Sequence, residues 1–440
     1  MSGNKNLKIW LAMALLIPLM QCLAEAKIIY VDDDGPADFN NIQAAIGDSN
    51  DGNVIVVAEG TYFENISFKG KNITLRSTDP NDPNVVANTV IDGMRKSSVV
   101  TFQNGEEPNC VLSGFTITHG GWCECEQLAN AGICCYNSSP LIIHNIITDN
   151  YAEAGGEWGG GIYCRENSSP LIIHNTIMNN YSEFSGGIDC WYNSSPIIIG
   201  NKIFGNYADY GMGAIQVRRD SSPIILNNII TLNFGAGIGI YLSNKQTTIL
   251  NNTIVGTLPS GYEHAGIRVY ESIAPIIRNC ILWDNGDELK GCTATYSCVK
   301  DNDTDEENND DGDFNISTDP LFADPNSVDY HLKSQAGRWE PSENPKSEFR
   351  NPKLAEGSWV KDEVTSLCID AGDPASPIGL EPFPNGGIIN MGAYGGTEEA
   401  SKSYFGEPVC ETIVAGDING DCIINLKDFA LMAFHWLEEH

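Results

Sequence analysis

Short β-branched runs, each closed by Gly, Asn, Ser or Pro, recur through the middle of the chain. One set reads Gly161-Ile162-Tyr163-Cys164-Arg165, then Pro170-Leu171-Ile172-Ile173, then Thr176-Ile177-Met178. Runs of this kind signal strands and turns rather than helices. The set repeats with its turn: Asn137-Ser138-Ser139-Pro140, Asn167-Ser168-Ser169-Pro170, Asn193-Ser194-Ser195-Pro196 and Asp220-Ser221-Ser222-Pro223 are spaced by 30, 26 and 27 residues. Looser copies follow at Lys245-Gln246-Thr247-Thr248 and Ser272-Ile273-Ala274-Pro275, and a divergent one surrounds Gly114-Phe115-Thr116-Ile117. A period of this size predicts a solenoid, because one unit cannot bury its own apolar face and must stack on its neighbours.

Stacking in register turns the repeat into ladders about 4.8 Å apart per step. One predicted ladder is Ile133, Ile162, Ile188, Ile215, Ile240, Ile267, and two residues on runs Cys135, Cys164, Cys190, Val217, Leu242, Val269. Both point inward by the alternation of a strand. A third, Asn145, Asn175, Asn201, Asn228, Asn252, falls where the second strand turns into the third. Asn tolerates left-handed backbone, and its amide can bond up and down a stack.

With this asparagine ladder the chain resembles the pectate-lyase-like superfamily of right-handed parallel β-helices. The opening supports the resemblance, since Phe39-Asn40-Asn41-Ile42-Gln43-Ala44-Ala45-Ile46, followed by Asn53-Val54-Ile55-Val56-Val57 and Gly60-Thr61-Tyr62, reads as a capping helix and first coil. The expected fold is all-β: a right-handed parallel β-helix of three-stranded coils over residues 27–398, with irregular final coils near Asp319–Phe322 and Asp329–Leu332 and a glycine-rich close near Asn390–Gly396.

Charge and cysteines narrow the setting. The formal net charge of −33 disfavours nucleic acid and anionic lipid, which it would repel. Residues 1–26 carry Lys5 and Lys8, the apolar run Ile9–Met20 and the small-x-small site Ala24-Glu25-Ala26, which predicts a signal peptide and a secreted protein. That run is too short to span a membrane. In an oxidising compartment disulfides are expected, although Cys123, Cys125, Cys134 and Cys135 also have the composition of a zinc site.

If Ile162 and Cys164 face in, Tyr163 and Arg165 face out, and the same arithmetic brings Asp189 with Trp191, Gln216 with Arg218, Tyr241, and Arg268 with Tyr270 to one outer face. Rings stack on sugar faces and Arg pairs with carboxylate or hydroxyl oxygens, so this face suits an extended glycan. The resemblance implies the same face, where polysaccharide lies in that superfamily. The preceding turns are long and variable and add Glu157 and Trp158, Glu183 and Phe184, Asp209 and Tyr210, then Tyr262, Glu263 and His264.

Glycosidic hydrolysis needs paired carboxyls, and Asp189 is the one carboxylate on the face. β-Elimination on a uronic acid needs a cation at the carboxylate and a base at C5, for which Arg165, Arg218 and Arg268 are the candidates, with acidic loop residues holding calcium. The face shows no lysine, and the Arg-x-Pro-x-x-Arg motif of pectate lyases is missing. His144 and His174 are open to reading as a metal pair or as turn residues. The acidic run 301–313 is open to reading as a solvated loop or a calcium chelate.

Beyond a linker at 399–411, residues 412–440 form a separate module. Asp417, Asn419, Asp421, the Ile423 carbonyl, Asn425 and Asp428 fall at positions 1, 3, 5, 7, 9 and 12 of an EF-hand-like loop, which predicts Ca²⁺. Phe429, Met432, Ala433 and Trp436 then mark one face of a helix. The module resembles half of a type I dockerin, which implies a cohesin-like partner; Cys422 stands where the turn glycine is usual, and Cys410 with Cys422 is the expected disulfide. Two functions follow: a secreted protein that grips or cleaves a (poly)uronic or related extracellular polysaccharide, or a non-catalytic surface scaffold whose repeats are a spacer.

Overall fold

The computed structural model describes residues 26–121, 131–152, 159–260, 264–300, 312–341, 357–406 and 429. Three parallel sheets, two of ten strands and one of nine, run the length of a β-helix. One coil shows the plan. Ile162–Arg165 lies in the nine-stranded sheet, Leu171–Ile173 in the first ten-stranded sheet and Thr176–Met178 in the second, here called the return sheet. A short fourth strand, Tyr181–Ser182, pairs with Tyr151–Ala152 and Tyr207–Ala208 in a small sheet of its own, an element the repeat did not reveal.

Alternation explains the core. Ile133, Ile162, Ile188 and Ile215 stack in register, as do Cys135, Cys164, Cys190 and Val217, and all are fully buried. The next coil corrects the predicted ladders by two residues. Ile238 follows Ile215 and leads to Ile267, while Ile240, not Leu242, follows Val217 and leads to Val269. Leu242 is instead exposed with a positive φ of 50°. The slip is physical: the turn before this strand is shorter, and Ile238 and Ile240 offer the same alternation, so pattern alone does not select the register.

The asparagine ladder forms as expected. Asn145, Asn175, Asn201 and Asn228 each donate Nδ2 to the Oδ1 one coil on, at 3.0–3.1 Å, ending on Asn252. Every rung also accepts a backbone N–H from the previous coil, so a buried turn leaves no amide unmatched. Asn150, Asn180, Asn206 and Asn233 build a second ladder after the return strand. Ser138, Ser168, Ser194 and Ser221 build a third, in which the hydroxyls of Ser168, Ser194 and Ser221 each accept the backbone N–H of the preceding serine and that of Ser138 accepts the Gly105 N–H.

The N-terminal end is closed by the helix Ile42–Asp48, whose Ile42, Ala45 and Ile46 are buried against the first coil. Its free N–H groups are satisfied by Asn41, which accepts from Ala44, and by Glu64, which accepts from Ile42 and Gln43 at 2.7 and 2.8 Å. The other end departs from expectation. Axial stacking continues through Cys298–Val299 and the bridge from Cys298 to Ile316. The chain beyond then folds back along the outside of the return sheet instead of adding further coils. There Phe322, Tyr330, Leu332, Cys368, Ile369, Met391 and Ala393 pack on Ile229, Val255 and Ile281. The physical reason is that those three outward positions are apolar, and a flat apolar sheet face needs a cover. Asn227 Nδ2 donates to the carbonyls of Ala393 and Gly395, and the Tyr330 and Thr231 hydroxyls meet at 2.6 Å.

A candidate binding strip on the nine-stranded sheet

Along each strand of the nine-stranded sheet two outward positions alternate with the core. The first file is Cys134, Tyr163, Asp189, Gln216, Gly239, Arg268 and Lys290; the second is Tyr136, Arg165, Trp191, Arg218, Tyr241 and Tyr270. Both leave the barrel interior, but their surroundings differ.

The first file is sealed over most of its length. Just before three successive strands the chain lies flat over the sheet and pairs from coil to coil, Gly159 to Ser185 and Ser185 to Met212. Gly159 lies directly over the file, where a Cβ would sit 3.1 Å from the Asp189 Cβ and 3.4 Å from the Tyr163 Cβ. Tyr163, Asp189 and Gln216 are therefore buried, Asp189 at 0% exposure, which corrects their expected place on an open groove. Arg218 Nη2 donates to Asp189 Oδ2 at 2.7 Å, so the expected catalytic pair is an internal ion pair. Burial first, and the Asp189 charge second, push the Tyr163 phenol pKa far up. The missed signal was the run of small residues before each strand, Gly159-Gly160-Gly161 and Ser185-Gly186-Gly187, which lets a turn lie flat.

The second file is more open. Arg165 and Arg218 hold their guanidinium carbons 5.2 and 4.7 Å from the Trp191 ring centre, and Tyr192 stacks on the same indole at 4.8 Å. Trp191 is 8% exposed as a result. Tyr241 and Tyr270 follow on the next coils with ring centres 6.4 Å apart, Tyr241 half-buried and Tyr270 51% exposed. On these coils the first file is more open too: Arg268 is half-buried, and in register with it stands Lys290, exposed and ion-paired to Asp287 at 2.9 Å. Lys290 corrects the expectation of a face without lysine. Its strand, Asp287–Lys290, lies past the last legible repeat, and register with Ala265–Tyr270 brings it to the face.

Other expected residues are placed as follows. Phe184 lies 5.7 Å from the Arg218 guanidinium and 6.3 Å from Tyr210, which is 70% exposed, and Asp209 accepts from the Tyr181 hydroxyl. The His264 ring bonds the Thr257 carbonyl at 2.8 Å. The His144 and His174 rings lie 5.8 Å apart, tilted by 34°, beside the asparagine turn, and burial, then His174, lowers the His144 pKa. Glu157, Trp158, Tyr262, Glu263, Cys123 and Cys125 lie outside the described residues, as do nearly all of the run 301–313, the loop of Asp417, Asn419, Asp421, Ile423, Asn425 and Asp428, and Cys410 and Cys422. In the core file, burial pushes the thiols of Cys135 and Cys190 well above the usual range. Among the described residues no helix is long and apolar enough to cross a membrane.

A second aromatic row, Tyr151, Tyr181 and Tyr207, climbs the small sheet with centres 4.4 and 5.7 Å apart. Its rings lie within 14° of parallel, so they cover one another's faces and offer edges outward. That suits a structural stack. The Tyr241–Tyr270 pair, tilted by 47°, leaves ring surface for a ligand.

None of the curated proteins matches the chain significantly. Among solved structures, the chain is similar to the pectate lyase Pel9A at 14% identity and a TM-score of 0.48, with 84% of this chain and 97% of that chain covered. The family model described as "Right handed beta helix region" matches residues 79–254 and 181–310, which together span more than half of the chain. The protein belongs to this right-handed β-helix family.

Proposed function

We propose that the protein is a secreted polysaccharide-binding β-helix that holds a (poly)uronic or related glycan along the strip of Tyr241, Tyr270, Arg268 and Lys290. One observation carries this reading: two cations in register on adjacent strands stand beside Tyr270, the most exposed aromatic ring among the described residues of the sheet. Aromatic faces stack on sugar rings, while Arg and Lys meet carboxylates. The local cations are needed because the net charge of −33 opposes an anionic chain at long range.

The same strip suits β-elimination. In that chemistry Lys290 neutralises the uronate carboxylate and Arg268 takes the position of the C5 base. Arg218 and Asp189 act only in support, since their ion pair fixes Trp191 from beneath. The C-terminal loop Asp417–Asp428 supplies oxygen ligands suited to Ca²⁺ and, as a dockerin-like module, an attachment to a cohesin-like protein. A second reading, a non-catalytic scaffold, is favoured by the burial of Asp189, which leaves hydrolysis by paired carboxyls without its face residue.

The test uses the full chain, with and without calcium, against a panel of polyuronates and neutral glycans. Binding is read by calorimetry and cleavage by ultraviolet-absorbing unsaturated products. Arg268→Ala and Tyr270→Ala are expected to weaken binding about tenfold each without lowering the melting temperature. Wild-type binding by both variants would move the function to the scaffold reading.

A further inference from the structure

The chain that folds back over the return sheet brings two distant cysteines together. Cys298 lies on the last strand of that sheet and Cys368 in the covering segment. Both are fully buried in the apolar cluster that joins cover to helix, beside Phe322, Tyr330 and Met391. The two thiols interact within this cluster, and the Cys298 thiol donates to the Thr318 carbonyl oxygen at 3.2 Å.

We propose that Cys298 and Cys368 are a cross-linking site, and that a disulfide between them fastens the C-terminal cover to the last coils of the β-helix. Contact alone does not decide this, because Cys135 and Cys164 also touch. Those two are register partners on adjacent parallel strands, with side chains pointing the same way into the core. Their Cβ atoms are held at about the 4.8 Å strand spacing, outside the roughly 3.5–4.5 Å that a disulfide takes. Cys298 and Cys368 carry no such restraint, since one sits on a strand and the other in a turn packed against it.

The bond forms by exchange with a small-molecule disulfide before the cover has fully docked, while both sulfurs are still accessible. The Cys298 thiolate attacks one sulfur of the reagent and expels one thiol. The Cys368 thiolate then attacks the Cys298 sulfur of the mixed disulfide and expels the second. The reagent takes up two electrons, and the two thiol protons end on the expelled thiols.

The test starts from reduced full-length protein, refolded in a glutathione buffer containing the oxidised form, then alkylated in denaturant, digested without reduction and mapped by mass spectrometry. The expected result is one cross-linked peptide pair holding Cys298 and Cys368. A melting temperature that falls by about 5 °C on reduction is also expected, because the cross-link closes a long loop. In Cys368→Ala the pair vanishes and Cys298 is alkylated, and the melting temperature no longer responds to reductant. If that variant fails to fold, the wild-type peptide map decides alone. Recovery of both cysteines alkylated, or each joined to another partner, overturns the proposal.

Discussion

Two files of outward side chains climb the same sheet two residues apart, yet Tyr163, Asp189 and Gln216 are buried while Tyr241 and Tyr270 meet solvent. The alternation of a strand sends both away from the core, and nothing within the sheet distinguishes them. What does is a second layer, the flat turns at Gly159, Ser185 and Met212, which pair along the axis and roof the first file. Polar residues under that roof follow interior rules. Asp189 survives there because Arg218 meets it, whereas Lys290, beyond the roof, holds only an exposed pair with Asp287.

The largest expected effect tests the sealed file. Asp189→Ala removes the buried carboxylate that Arg218 meets and should cost about 3 kcal/mol in urea unfolding. A loss below about 1 kcal/mol would mean that the file is wet. The cover over the return sheet offers a pH test. Glu381 Oε1 accepts the Asn390 and Gly396 N–H groups, while Oε2 is buried without a partner among the described residues. Burial raises its pKa to about 7 from 4.5, so the folded chain keeps a proton that the unfolded chain has already lost. Stability should therefore fall as pH rises from about 4.5 to 7, by roughly 3 kcal/mol at most, and Glu381→Gln should flatten that part of the profile.

Asn201→Ala removes one rung and leaves the buried Asn175 N–H unmatched, an expected loss of about 2 kcal/mol by chemical denaturation. Gly159→Ala puts a methyl 2.9 Å from the Ile162 carbonyl oxygen and should lift the roof at a cost of about 1 kcal/mol, visible as faster hydrogen exchange at Ser185. Tyr270→Ala should change stability by less than about 0.5 kcal/mol while weakening glycan binding, the signature of an open file. A stability loss like that of Asp189→Ala would erase the distinction between the files.

Much of this was legible in advance. The serine turns, the isoleucine files and the first asparagine ladder each repeat at one interval, and stacking identical units leaves one way to match them. The second ladder is equally periodic at Asn150, Asn180, Asn206 and Asn233, but its turn leads into the short fourth strand, which has too few residues to show a strand pattern of its own. Register failed at Ile238 and Ile240, where two residues fit the same alternation. Lys290 escaped because its strand follows the last clear repeat.

By itself the sequence determined the coil, its core and the rungs that match its buried turns, because these depend on neighbours one repeat away. Tertiary structure alone decided which outward residues reach water. The roof over Asp189, and the cover that brings Cys368 to Cys298, come from segments outside the repeat's own alternation, and accessibility depends on what lies above a sheet as much as on which way a side chain leaves it.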